Sequence, residues 1–194
     1  MKLEITHQES YSRGELLARS FFGAFYILIP HGFVLLFVSL WAVILQFISF
    51  WIVLFTGKYP QSFFDFQVGL MRWSMRVNAT MANLADGYPA FGVSTKTDNV
   101  IFEAENPETL SRGLLLVRMF FGIFYVIIPH MFILMFRQLW GAILGFIAWW
   151  IVLFTGKFPK STHDFLVENL RWNARVSLYM GFMTDVYPPF NGKA

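Results

Sequence analysis

Cysteine is absent from all 194 residues, which excludes disulfides, thiolate metal sites and cysteine nucleophiles together. Charge is scarce as well. Asp, Glu, Lys and Arg make up 14% of the chain, against about 25% in an ordinary soluble domain. The net charge of +3 is small for a nucleic-acid binder, so nucleic acid is not an expected partner. Gly-rich phosphate loops, HExxH, GxSxG and metal-ligand spacings are all missing. No catalytic residue and no metal site is therefore expected, and the chain reads as something other than an enzyme.

Apolar residues fill the space. They make up 56% of the chain, aromatics 20%, and Phe alone occurs 24 times. A soluble fold of this size must wet its own exterior and could not hide so much apolar surface. The expected solvent is a bilayer.

The chain is a tandem repeat with an offset of 99 residues. Ser12-Arg13-Gly14 recurs as Ser111-Arg112-Gly113, Pro30-His31 as Pro129-His130, and Trp51 to Lys58 as Trp150 to Lys157. Arg72-Trp73 with Arg76 matches Arg171-Trp172 with Arg175, and each unit closes on Asp-x-Tyr-Pro-x-Phe at Asp86 to Phe91 and Asp185 to Phe190. The register holds without a gap, so two copies and a pseudo-twofold arrangement are expected. The first unit covers 1–91, a Ser/Thr-rich linker 92–99, and the second unit 100–194.

Ser20 to Phe55 carries no charge over 36 residues, about 54 Å of helix against about 30 Å of hydrocarbon. Arg137-Gln138 interrupts the same run in the second copy. A helical hairpin is therefore predicted in each unit, with spans at about 14–37 and 40–55, then about 113–136 and 139–154. Ser12 and Ser111 are candidate N-caps. Pro30 and Pro129 should disturb the first span of each hairpin. Gly57 and Gly156 should end the second.

The stretches at about 63–84 and 162–183 read as amphipathic helices, with Asp65, Arg72 and Arg76 on one face. The expected fold is all-α: a pseudo-twofold four-span bundle with these helices on the cytoplasmic surface. Almost all basic residues can then share one side, and only Arg137 lies at a far turn. The positive-inside rule places both termini in the cytoplasm. Met1 to Ser10 is polar, so no cleavable signal peptide is expected. If the third helices spanned instead, the copies would be inverted and the basic residues split between sides. Leu3 to Ile5 and Ile101 to Glu105 alternate like short strands, free to pair with each other or with a partner.

Pro107-Glu-x-Leu-Ser-Arg112, Ile-Pro-His, Leu-Phe-Thr-Gly-Lys, Arg-Trp-x-x-Arg and Asp-x-Tyr-Pro-x-Phe together resemble the bacterial membrane family DUF4389. The likeness covers both units and almost the whole chain. It implies a multi-pass protein of the bacterial cytoplasmic (inner) membrane with no assigned activity, and it supplies no catalytic residues. The first copy departs at Gln8-Glu9, where the second has Pro107-Glu108; the second departs at Thr162-His163, where the first has Phe63-Phe64.

Two constellations are candidates for chemistry. His31 and His130 each follow a proline inside an apolar helix. They could face each other across the pseudo-axis and ligate a haem or chlorin, or simply bond to a carbonyl freed at the proline. Arg72, Trp73, Arg76, Arg171, Trp172 and Arg175 could hold anionic lipid headgroups. Alternatively they could form an ion-pair lattice with Asp65, Asp164, Asp86 and Asp185. Tyr88-Pro89 and Tyr187-Pro188 read as interfacial anchors. The leading expectation is a non-enzymatic accessory or scaffold subunit that contacts lipids and other membrane subunits. Lipid or small-solute handling is the alternative, and bis-His cofactor binding a third.

Overall fold

In the computed structural model, which describes residues 1–193, each unit is a short strand, a very long helix and a shorter helix that doubles back. The first comprises β1 (Lys2–Ile5), α1 (Arg13–Thr56) and α2 (Gln61–Met81). The second comprises β2 (Val100–Glu103), α3 (Arg112–Thr155) and α4 (Lys160–Met180). Ser12 and Ser111 cap α1 and α3 as expected, their hydroxyls accepting from the amides of Glu15 and Leu114. Gly57 and Gly156 end the long helices at φ 73°, a left-handed turn that glycine adopts without a Cβ penalty.

The hairpins do not form. α1 and α3 are continuous 44-residue helices, each about 66 Å long at 1.5 Å per residue. Phe37-Val38-Ser39-Leu40 contains neither the glycine nor the proline that stops a helix, so nothing at that point breaks the hydrogen-bond ladder. Arg137 does not mark an aqueous turn either. It swings onto α4, where Nη2 donates to Glu168 at 3.0 Å and Nε to Asn169 Oδ1 at 2.8 Å. Its guanidinium also stacks 4.5 Å from the Phe165 ring centroid.

The prolines act locally. Pro30 has no amide proton for the carbonyl of Tyr26, and Pro129 none for Tyr125. Each helix widens into a π-helical turn just ahead of its proline, over Ala24–Leu28 and Ile123–Ile127.

The two shorter helices form a layer between the strands and the long helices. Trp73 and Val77 of α2 turn towards α1, while Val68 and Arg72 turn towards β2 and the loop after α2. The strands pair with each other, antiparallel, with Leu3 opposite Phe102. Those two residues are counterparts at the offset of 99, so the pseudo-twofold axis passes through that pair.

The remaining contacts fix the direction of the axis. Tyr11 N donates to Gly156 O at 2.8 Å, and its counterpart Leu110 N donates to Gly57 O at 2.7 Å. The start of each long helix thus meets the end of the other. α1 and α3 run antiparallel, with the axis perpendicular to both. One core joins the units: Leu3, Tyr11, Phe64 and Val68 from the first with Phe102, Leu110, Phe158 and Val167 from the second. Along the axis the order is ribbon, then α2 with α4, then the long helices.

Candidate functional site

The repeated motifs assemble into one arrangement per unit. Trp73 Nε1 donates to His31 Nδ1 at 2.9 Å, and Trp172 Nε1 to His130 Nδ1 at 2.8 Å. An Nδ1 that accepts a hydrogen bond carries no proton, so the neutral ring is held as the Nε2–H tautomer. Phe91 stacks on His31 at 3.8 Å between centroids, and Phe190 on His130 at 4.1 Å. The tyrosine of the same closing motif takes the carbonyl left open by the proline: Tyr88 Oη donates to Tyr26 O at 3.0 Å and Tyr187 Oη to Tyr125 O at 2.9 Å. Pro-His, Arg-Trp and Tyr-Pro-x-Phe are therefore three parts of one clamp between the long helix, the returning helix and the segment that follows it.

This clamp revises one expectation: the carbonyl freed at the proline goes to tyrosine and not to histidine. Tyr88 and Tyr187 make these ties while remaining exposed. His31 and His130 do not face each other. Each is fully buried among aromatic rings of its own unit. His130 Nε2 already reaches Tyr187 Oη at 3.2 Å, and His31 Nε2 is enclosed with no partner among the described residues. Neither ring offers an open position, so the pair does not fit a haem or chlorin between them. The two units differ in that Tyr187 both donates to the carbonyl and meets the histidine, whereas Tyr88 only donates.

The arginine constellation resolves into main-chain contacts. Arg76 donates to the carbonyls of Ala90, Gly92 and Thr95, and Arg72 to Phe102 O. Arg171 donates to Leu3 O and Gly192 O, and Arg175 to Asn191 O and Lys193 O. These four residues bind down the segment after each returning helix and stitch it to the ribbon. The lattice with Asp65 and Asp164 is not formed: Asp65 accepts from Gln61, and Asp164 pairs with Lys160 at 2.9 Å. That lysine holds the Asp164 carboxyl below the usual carboxylate range.

Asp86 and Asp185 have different partners from those expected. Arg19 Nη2 meets Asp86 at 2.7 Å and Arg118 Nη2 meets Asp185 at 2.6 Å, both guanidiniums being buried. The second oxygen of each aspartate accepts from the amide of Ser12 or Ser111 at 2.6 Å, locking the end of the unit onto the start of its long helix. Arg19 also contacts Glu15 at 3.1 Å, and position 114 offers no such carboxylate to Arg118. The sequence signal was present, since Arg19 and Arg118 are the only charges this deep in the first turns of the long helices and both repeat at 99.

Two asymmetries between the copies change the packing. His163 takes the core place that Phe64 holds in the first unit. It packs 5.0 Å from the His7 ring with neither nitrogen bonded, and burial together with His7 pushes its pKa down. The second is a cavity of about 590 Å³ between α2, α3 and α4, lined by the amides Asn78, Asn83, Gln138, Asn169 and Asn173 and floored by Gly141 and Gly145. In the first unit the equivalent of Gly145 is Gln46, whose amide donates to Gly181 O, and the equivalent of Asn83 is Phe182, packed on Phe50.

No curated protein and no solved structure is similar to this chain. A family model does match, over residues 19–92 and again over 115–191. Those two stretches contain both clamps and both Arg–Asp locks. The chain belongs to the family described as domain of unknown function DUF4389, which it carries as two tandem copies.

Proposed function

We propose that this protein is a non-enzymatic, membrane-embedded accessory or scaffold subunit of a larger bacterial assembly. It resides in the cytoplasmic membrane with both termini on the cytoplasmic side. One observation carries the reading: from Phe21 to Phe55 every exposed residue of α1 is apolar or glycine, and along α3 from Phe120 to Phe154 only Gln138 breaks the pattern. Most of the repeated polar residues are meanwhile engaged in holding the fold: His31 and His130 are bonded by tryptophans, Arg72, Arg76, Arg171 and Arg175 by carbonyls, and the buried Arg–Asp pairs by helix starts. What such a molecule offers outward is an aromatic surface for lipid and for other apolar helices.

Native mass spectrometry of the protein released gently from its own membrane tests this. Stoichiometric partner subunits are expected. A lone chain with no partner at any detergent concentration would overturn the scaffold reading.

The amide-lined cavity favours lipid or small-solute handling as a second reading. Its ligand would carry neutral hydrogen-bonding groups, such as esters or hydroxyls, because the lining is rich in amides. The four arginines that suggested headgroup binding are turned to the main chain instead. Gly145→Gln would fill this cavity as Gln46 fills its counterpart. A co-purifying lipid that survives that substitution would count against the cavity as its site.

A further inference from the structure

We propose that the molecule lies within one leaflet of an anionic bilayer: the pseudo-twofold axis stands along the membrane normal, both long helices lie flat, and the β-ribbon faces the cytoplasm. This rests on the membrane reading above and replaces a multi-pass arrangement.

The direction of the axis is the first argument. It is perpendicular to α1 and α3 and passes through the Leu3–Phe102 pair. If the long helices crossed the bilayer, this axis would lie in the membrane plane, and the ribbon would sit at mid-depth on the lipid-facing flank. The ribbon's outer face carries Lys2, Glu4 and Glu103, and Lys2 and Glu4 have more than half of their side-chain surface exposed. Charges at the bilayer centre are costly, about 2.5–3.5 kcal/mol for each Lys or Asp even on the mildest scale. With the axis along the normal, the same ribbon is the point furthest from the hydrocarbon.

Length is the second argument. The apolar exposed face of α1 runs from Phe21 to Phe55 without a polar interruption, about 50 Å of helix against about 30 Å of hydrocarbon. A spanning helix would leave about two-fifths of that face in water or tilt steeply. A helix lying in the interface has no such limit, and its apolar face enters the acyl boundary by about 5–10 Å.

Charge favours the same pose. Lys58 and Arg112 are together at one end of the long-helix pair, while Arg13, Lys157 and Lys160 cluster at the other. In a spanning pose the two clusters would be on opposite sides of the membrane, against the retention of Lys and Arg on the cytoplasmic side. In the flat pose both reach the same anionic headgroup layer, where each basic residue contributes about 1 kcal/mol.

The absence of native cysteine makes the test direct. Single-cysteine variants Phe25→Cys, Phe33→Cys, Leu40→Cys, Phe47→Cys and Phe55→Cys, all at exposed positions, are spin-labelled in phosphatidylethanolamine–phosphatidylglycerol vesicles. Their accessibilities to oxygen and to a polar nickel chelate report depth. One shared shallow depth across all five is expected. A profile that is deepest near Leu40 and shallow at both ends would mean a spanning helix and overturn the proposal. Exclusion of both probes would mean that a second copy or another protein covers the face, and would overturn it too. Free access of the nickel chelate everywhere would instead overturn the membrane reading on which the pose rests.

Discussion

Asp185→Ala removes the carboxylate that, among the described residues, alone pairs with a guanidinium having no exposed side-chain surface. Arg118 would keep its bonds to the carbonyls of Leu114, Tyr179 and Thr184, but its charge would have no counterion. Breaking one partner of a buried pair costs about 3–5 kcal/mol. Asp185 is 30% exposed and water can replace part of it, so the lower end of that range applies. The Ser111 amide also loses its acceptor at the start of α3, which adds about 1 kcal/mol. The sum is about 4 kcal/mol, a several-hundred-fold shift towards the unfolded state. Equilibrium unfolding in mixed micelles, followed by tryptophan fluorescence, measures it. Asp86→Ala should cost about 1 kcal/mol less, because Arg19 retains Glu15. Asp164→Ala should cost under about 0.5 kcal/mol, since the Lys160–Asp164 pair is mostly exposed. In an Arg118→Met background, Asp185→Ala should lose only its contribution at Ser111. Equal costs in both backgrounds would refute a buried-charge lock.

Three further outcomes follow from the geometry. Tyr187→Phe should destabilise more than Tyr88→Phe, by about 2 against about 1 kcal/mol, because Tyr187 ties both Tyr125 O and His130 while Tyr88 ties only Tyr26 O; the same micelle titration reads both. His163 is held neutral by burial and by His7, with Asp164 and Lys160 also nearby. Its folded pKa lies below the unfolded value of about 6.5, so the unfolded state takes up the proton first. Stability must then fall as pH drops below that value, and His163→Phe, which restores the residue type at position 64, should flatten that part of the thermal stability profile. A slope unchanged by the substitution would place the pH dependence elsewhere. Finally, Gly145→Ala faces open space in a helix and should stabilise by about 0.5–1 kcal/mol. Gly69→Ala would drive its Cβ into the Val93 carbonyl and should destabilise, releasing the segment that Arg76 holds. Limited proteolysis near Val93 detects that release.

The duplication, the helix caps and the stops at Gly57 and Gly156 were legible in the sequence because each is a local signal. The hairpins misread Arg137, since a charge inside an apolar run looks like a water-facing turn until Glu168 and Asn169 are seen beside it. The Arg72–Asp65 pairing was misjudged for a plainer reason: two turns of helix separate them by about 10 Å, too far for contact. Their true partners carried no sequence signature, because the acceptors are main-chain carbonyls. The tryptophan that bonds each histidine is 42 residues away, and no periodicity links the two. Nor does an offset of 99 say whether the copies run parallel or antiparallel. That depends on Tyr11 meeting Gly156 and Leu110 meeting Gly57, contacts that also set the direction of the pseudo-twofold axis.

Lys58 and Lys157 are exposed counterparts at opposite ends of the long-helix pair. Labelling Lys58→Cys and Lys157→Cys with a membrane-impermeant maleimide, in intact cells and in inverted membrane vesicles, tests the single-leaflet arrangement most directly. Both should react in inverted vesicles and neither in intact cells. One reacting from each side would contradict it and show that the long helices cross the bilayer.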